Sequence, residues 1–303
     1  MNFIYLLRLW HLGHFFNPKN PDGHKIKLVD LRHLKLSDRV VQDAIASFQE
    51  MGKPVLDKLR GGHLLREGIL DDFTKSLFAA QRCGHPDYQL NTKIGSGSWP
   101  EPCQKAGVTY SVNKNGMPSK FTTTWDEQIL KPVVEDYGNV GERLIPHTGT
   151  GQANIRISFR SFVGSTIGLA YFNNGSCSDS VTCELSTSFA PNEATEADLL
   201  KHEMGHCNGL GHTNGGTMNP YIINRDSYYK WSPSDPSWNT LVRYFGGEPI
   251  KPVPPPTPET KLVLISTISG IDKIEVDMMK DELRTYLNNK QTDTYALMNN
   301  RII

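Results

Sequence analysis

The sequence predicts an α+β protein: a small helical region first, then a larger region mixing helices with several strands. Three observations carry this. Apolar residues recur at helical spacing through Val40, Val41, Ala44, Ile45 and Phe48; strict alternation marks a strand at 154–162; and a long helix fits 193–210 after two further strand runs. At 303 residues there is room for two modest domains plus linkers. The 32 basic and 32 acidic residues balance, and no basic stripe stands out, so the electrostatic footprint of nucleic-acid binding is missing. No run approaches the roughly 20 apolar residues of a membrane span.

Taken in order, residues 1–24 open with an apolar run that Arg8, His11 and His14 interrupt. It lacks a basic start and a small-residue cleavage site, and reads either as a degenerate export signal or as an N-terminal strand or loose apolar segment. Residues 25–88 form the helical region, with Ser37 as the expected cap of its first helix and a second amphipathic stretch at 70–80. Residues 89–104 turn polar and Gly/Ser-rich (NTKIGSGSWPE), as in exposed connectors that proteases cut. The α+β domain spans 105–247, with a strand at 108–112, a helix at 125–144 and strands at 154–162, 167–172 and 182–189. In the strand at 154–162, Ile155, Ile157 and Phe159 point to one side and Arg156 and Arg160 to the other. A proline-rich spacer covers 248–260, and a tail with one amphipathic stripe covers 261–303. The five cysteines are Cys83, Cys103, Cys177, Cys183 and Cys207, an odd count that leaves a thiol unpaired. Cys177 and Cys183 flank a short polar loop that a disulfide could close.

The chemistry concentrates in residues 201–220, KHEMGHCNGLGHTNGGTMNP. His202 and His206 are four apart on the long helix and share a face, so both imidazoles can reach one zinc ion. Glu203 points to the neighbouring side, close enough to a metal-bound water to take its proton. Gly209 suits the positive-φ turn that ends a helix, after which the chain can swing back and offer His212. Three protein ligands leave a fourth position open, the mark of a catalytic zinc site.

The string H-E-x-x-H-x-x-G-x-x-H is that of the metzincin zinc peptidases, and Met218 resembles the methionine of their Met-turn. Thr213 and Pro220 resemble the matrixin branch. The resemblance implies one catalytic Zn2+ on His202, His206 and His212, Glu203 as general base, and Met218 as a hydrophobic floor. It also implies that the strand at 167–172, through Leu169 and Ala170, and the wall at Pro220 and Tyr221 hold an extended protein or peptide substrate. The string QRCGHPDY at 81–88 resembles the matrixin cysteine switch, with Gln81 replacing a proline. That likeness makes Cys83 a fourth zinc ligand in a latent form, braced by Arg82 and Asp87, and makes 25–88 a peptidoglycan-binding-like propeptide. A zymogen of this kind implies an activating protease, a secreted, monomeric product, and peptide-bond hydrolysis in extracellular or surface proteins. With no histidine between His147 and His202, and Tyr171 where a ligand is expected, the structural zinc of matrixins is not expected; calcium through Asp179 or Glu184 is conceivable. Asp235 is expected to brace the Met-turn. Two readings compete: a non-enzymatic cell-wall or surface-binding protein that uses residues 25–80 as a peptidoglycan-binding module beside a vestigial metal site, and a zinc hydrolase whose target bond lies in a cell-wall peptide.

Overall fold

In the computed structural model, which describes residues 3–61, 63–88 and 99–246, the apolar periodicity of the first 80 residues becomes four short helices. They are α1 (Phe3–His11), α2 (Arg39–Met51), α3 (Lys53–Arg60) and α4 (Asp72–Leu77). α2 begins just after Asp38, one residue later than a Ser37 cap predicts, and α4 is capped by Asp71, which accepts from the Thr74 amide at 2.8 Å. The N-terminal apolar run is neither strand nor loose segment. Its helix α1 buries Leu6 and Leu9, and Phe15 and Phe16 follow them into one core with Val41, Ile45, Phe48 and Leu77. Of the residues that interrupt the run, Arg8 and His11 stay exposed while His14 is fully buried.

The remainder is built on a six-stranded sheet: β1 (Arg82–Cys83), β2 (Val108–Val112), β3 (Leu144–Pro146), β4 (Ile155–Arg160), β5 (Thr166–Ala170) and β6 (Val181–Ser186). Their order is β1-β5-β6-β4-β2-β3, and every pairing is parallel except β5 with β6. Helix α5 (Glu101–Ala106) precedes β2. A wide turn of helix at Trp125–Leu130 runs into α6 (Lys131–Asn139), α7 (Glu193–Cys207) packs on β5 and β6, and α8 (Trp238–Phe245) closes the region. β4 keeps its alternation, burying Ile155, Ile157 and Phe159, while Arg160 on the other face pairs with Glu184 at 3.0 Å. α7 is buried nearly all round, starts at an Asn192 cap bonded to the Thr195 amide at 2.9 Å, and ends at Cys207.

Three expectations change. The disulfide is Cys103–Cys177, not Cys177–Cys183. Strand β6 sends Val181, Cys183 and Leu185 into the core, so Cys183 faces away from the polar loop before it. The connector read over 89–104 stops earlier at its C-terminal side, because Trp99 is fully buried, with its indole donating to Asn208 Oδ1 at 2.9 Å, and α5 starts at Glu101. The helix expected at 125–144 ends at Asn139, and Leu144 starts β3. The remainder of the connector (89–98), the proline spacer and the tail lie outside the described residues.

Candidate metal centre

Helix α7 stacks His202 and His206 one turn apart; the chain then reverses at Gly209 (φ 83°) and returns His212 to the same point. The three Nε2 atoms approach one another at 3.2 Å (202–206), 3.1 Å (206–212) and 3.3 Å (202–212). The opposite nitrogen of each ring faces an oxygen: His202 Nδ1 to Thr217 O at 2.8 Å, His206 Nδ1 to Leu210 O at 2.7 Å, His212 Nδ1 to Asp87 Oδ1 at 2.7 Å. Carbonyls and carboxylates only accept, so all three Nδ1 atoms carry the proton and all three Nε2 atoms present lone pairs. Three lone pairs at this spacing repel unless a cation lies between them.

The fourth donor is Cys83, whose Sγ lies 3.5 Å from His206 Nε2, and all four donor atoms fall within 4.8 Å of one another. Tetrahedral zinc with N at ~2.0–2.1 Å and S at ~2.3 Å places nitrogens about 3.3 Å apart and sulfur about 3.5 Å from nitrogen. The three nitrogens therefore fit zinc in both chemistry and spacing, and the sulfur meets that spacing on the His206 side, with the whole set inside 4.8 Å. Burial, joined by the neighbouring histidines, holds His202 down at about 3 and His206 well below its ordinary value, keeping both imidazoles in the neutral form that ligates.

Cys83 is delivered by β1, which lies in a cleft between β5 and the 219–221 segment. Arg82 N donates to Ser165 O (2.9 Å), Cys83 N to Pro220 O (2.8 Å) and Gly84 N to Gly168 O (2.8 Å), so the two walls grip the strand alternately. Arg82 lies over the Tyr221 ring, 5.1 Å from its centroid, and pairs with Asp87 Oδ1 at 2.5 Å. Glu203 is fully buried, with Oε2 3.5 Å from Cys83 Sγ. Burial raises its carboxyl to about 8. Burial and the neighbouring Glu203 also push the Cys83 thiol well above its usual range, a penalty that a bound dication reverses. Gly168 is required here, since a Cβ would fall 2.4 Å from Glu203 Oε1.

Met218 is buried below α7, and its carbonyl accepts from Thr213 N at 2.9 Å to close the turn after His212. Asp235 Oδ2 accepts from Thr217 N at 2.7 Å, bracing that turn from outside. Leu169 lies beside Gly84, and Pro220 and Tyr221 line the cleft. Ala170 is fully buried and registers with Cys183, two residues beyond Gly168 on the same inward face of β5. The two carboxylates considered for calcium are engaged elsewhere: Asp179 accepts from the amides of Asn174 (2.6 Å) and Ser176 (3.1 Å), and Glu184 forms an ion pair with Arg160.

Sequence reasoning missed four contributors. His85 stacks on the His206 ring at 4.5 Å; Gly168 accommodates Glu203; Asn219 donates to Met51 O at 3.1 Å and joins the cleft wall to α2; and His14 reaches Asp87. Only His14 left a trace in sequence, as a polar residue inside an apolar run.

Residues 110–213, from β2 through the third histidine, match the family model described as metallo-peptidase family M12B, reprolysin-like. None of the curated proteins compared with the chain matches it. The match covers about a third of the chain, and over that stretch the chain is similar to reprolysin-like metallopeptidases, a metzincin-clan family. The matching branch is reprolysin-like, whereas the strings at 81–88 and 213–220 resemble matrixins.

Proposed function

We propose that the chain is a zinc endopeptidase made as a latent precursor, with His202, His206 and His212 holding the ion and Cys83 occupying its fourth position. The carrying observation is the convergence of three histidine lone pairs at zinc spacing, with one thiol sulfur, borne on a strand laid in the cleft, inside 4.8 Å of them. When bound, zinc supplies Lewis-acid polarisation of a carbonyl and a water acidic near neutral pH. Glu203 is placed for the proton work: a water replacing the Cys83 sulfur falls within reach of its carboxylate, which can take a proton and return it to the leaving amine. The backbone acceptors Ser165 O, Gly168 O and Pro220 O that grip residues 82–84 are available to an extended substrate once the strand leaves.

Residues 25–88 then act as a matrixin-type propeptide. α2 abuts the cleft wall through Phe48 against Tyr221 (6.5 Å) and Met51 against Asn219, which favours a propeptide over a free wall-binding module. The reading extends to an activating protease that cuts the connector, and to action outside the cell as a monomer on proteins or peptides; the disulfide supports an oxidising compartment.

The test is hydrolysis of a quenched fluorescent peptide library by the zinc-loaded chain, before and after a thiol-reactive mercurial. Activity is expected only after treatment, and Glu203→Ala lowers it by about 10²–10⁴-fold. A treated, folded, zinc-bound protein that cuts no peptide rejects the reading and moves wall-peptide substrates to the front.

A further inference from the structure

We propose that His14, in the turn after α1, is a positioning residue of the latch: through Asp87 it fixes the ring of His212 and thereby the hold of the metal centre on Cys83. The inference rests on the latent-zymogen reading above.

Asp87 is the hub. Its Oδ1 takes His212 Nδ1 at 2.7 Å and Arg82 at 2.5 Å, while Oδ2 faces His14 Nε2 at 2.8 Å. The His14 and Asp87 side chains are both fully buried. The approach is bent out of hydrogen-bond alignment, and between two fully buried side chains at this distance it is an electrostatic contact. The proton direction follows from the partners on either side. Asp87 Oδ2 only accepts, so His14 Nε2 carries the proton that faces it and Nδ1 accepts from Ser47 Oγ at 3.0 Å, while Asn17 Nδ2 donates to that Oγ at 2.7 Å. A chain of donors thus runs from Asn17 through Ser47 and His14 to the carboxylate that orients His212.

The backbone clamps the same place. The Asp87 and Tyr88 amides both point to Leu12 O, at 2.8 and 3.2 Å. Gly13 adopts φ +85°, and a Cβ there would lie 1.7 Å from Tyr88 O, so residues 12–14 rest directly on 87–88. The His14 ring packs edge-on to Phe48 (5.2 Å) and Tyr88 (5.6 Å).

Removing the imidazole strips Asp87 Oδ2 of its facing donor inside the core, where a bare carboxylate oxygen is costly. Asp87 then shifts or admits water, and the ring it orients loosens. Losing the outer partner of a metal-bound histidine typically weakens the site by about 10–100-fold. A histidine that merely fills the core predicts no such effect beyond lost packing.

The experiment uses the full-length chain loaded with zinc, and separately with cobalt(II). It reads alkylation of Cys83 by iodoacetamide through peptide mass spectrometry, and the sulfur-to-cobalt absorption band. His14→Phe keeps ring volume against Phe48 and Tyr88 but removes both nitrogens; it should speed Cys83 alkylation by about ten-fold or more and perturb the cobalt band. His14→Gln, which retains an N–H donor, should stay near wild type. Leu9→Ala loosens the same core without touching Asp87 and should lower the melting temperature while leaving alkylation nearly unchanged. If His14→Phe does not fold, His14→Ala serves in its place. The proposal is overturned if His14→Phe, or His14→Ala in its place, alkylates at the wild-type rate, if His14→Gln alkylates as fast as it does, or if Leu9→Ala matches it. If wild-type Cys83 itself alkylates like a free thiol and shows no sulfur-to-cobalt band, the latch reading fails with it; a protected wild type beside equally protected variants sinks only the role of His14.

Discussion

Lys201 and His202 are neighbours on α7, both fully buried, yet they belong to opposite kinds of polar cluster. The Lys201 ammonium is complete within the protein. It meets Asp136 Oδ2 at 3.2 Å and Tyr229 O, and lies 4.4 Å from the Tyr228 ring centre and 5.1 Å from that of Trp231. Asp136 is shared in turn by Tyr228 Oη (2.9 Å) and Trp231 N (2.8 Å). Around His202 the donors are spent outward on Thr217 O, Leu210 O and Asp87, leaving acceptors aimed at one another. One cluster ties α6 and the 228–231 segment to the helix; the other is whole only with a cation. Acceptors converging on a single point, more than burial or charge, set the site apart from the scaffold on this helix.

The comparison can be broken most directly by removing the ion. Chelation should abolish peptide cleavage by the activated protein. Zinc held at about 1,000 times its Kd contributes about 4 kcal/mol, so the melting temperature should fall by about 8–16 °C; calorimetry of the zinc-loaded and stripped protein reads this. An unchanged melting temperature would mean that the histidines are satisfied without metal. Lys201→Met should cost about 3–5 kcal/mol by stranding Asp136 while metal content by atomic absorption stays at one zinc per chain. A parallel loss of zinc would merge the two clusters.

Glu196, two turns before Glu203, is a third case: both carboxyl oxygens are buried without a hydrogen-bond partner, and burial raises its pKa to about 8. The unfolded chain therefore gives up this proton first. Stability from the group is full below about pH 4.5 and is lost as pH rises toward 8. Glu196→Gln should stabilise by on the order of a few kcal/mol at pH 8 and far less at pH 5, read as melting temperature against pH. The smallest effect is expected at Gly168→Ala, where the new methyl must displace Glu203 Oε1 from 2.4 Å. It should cost about 1–3 kcal/mol and lower turnover of the activated protein without altering zinc content.

How much was legible follows from distance along the chain. His202, His206 and Glu203 are set by a 3.6-residue period, and His212 by a glycine turn, so their convergence could be read locally. Cys83, Arg82 and Asp87 were legible only as a pattern; that their strand would join the sheet edge beside β5 was not. The partners of Asp87 come from residues 14, 82 and 212, and periodicity carries no information about such closures. The disulfide was misassigned for the same reason. The nearest cysteine in sequence faces the core, and the true partner lies 74 residues away. The four expected strands were placed to within a few residues because alternation survives burial, while β1 and β3 were not read and the end of the helix after 125 was overrun.

That disulfide also bears on what cleavage of the connector can do. Cys103 sits in the first helix after the connector and Cys177 in the loop between β5 and β6, so the front of the sheet region is stapled to its middle. A cut before Trp99 creates a new chain end that cannot peel away past residue 103, and the closed loop of 74 residues withholds about 4 kcal/mol of chain entropy from the unfolded state. On the proposed zymogen reading, maturation is a subtraction that leaves the remaining fold its mechanical anchor. Reducing agents then act at two places with opposite consequence, loosening the staple while keeping Cys83 a competent ligand, so they should inactivate the protein rather than wake it.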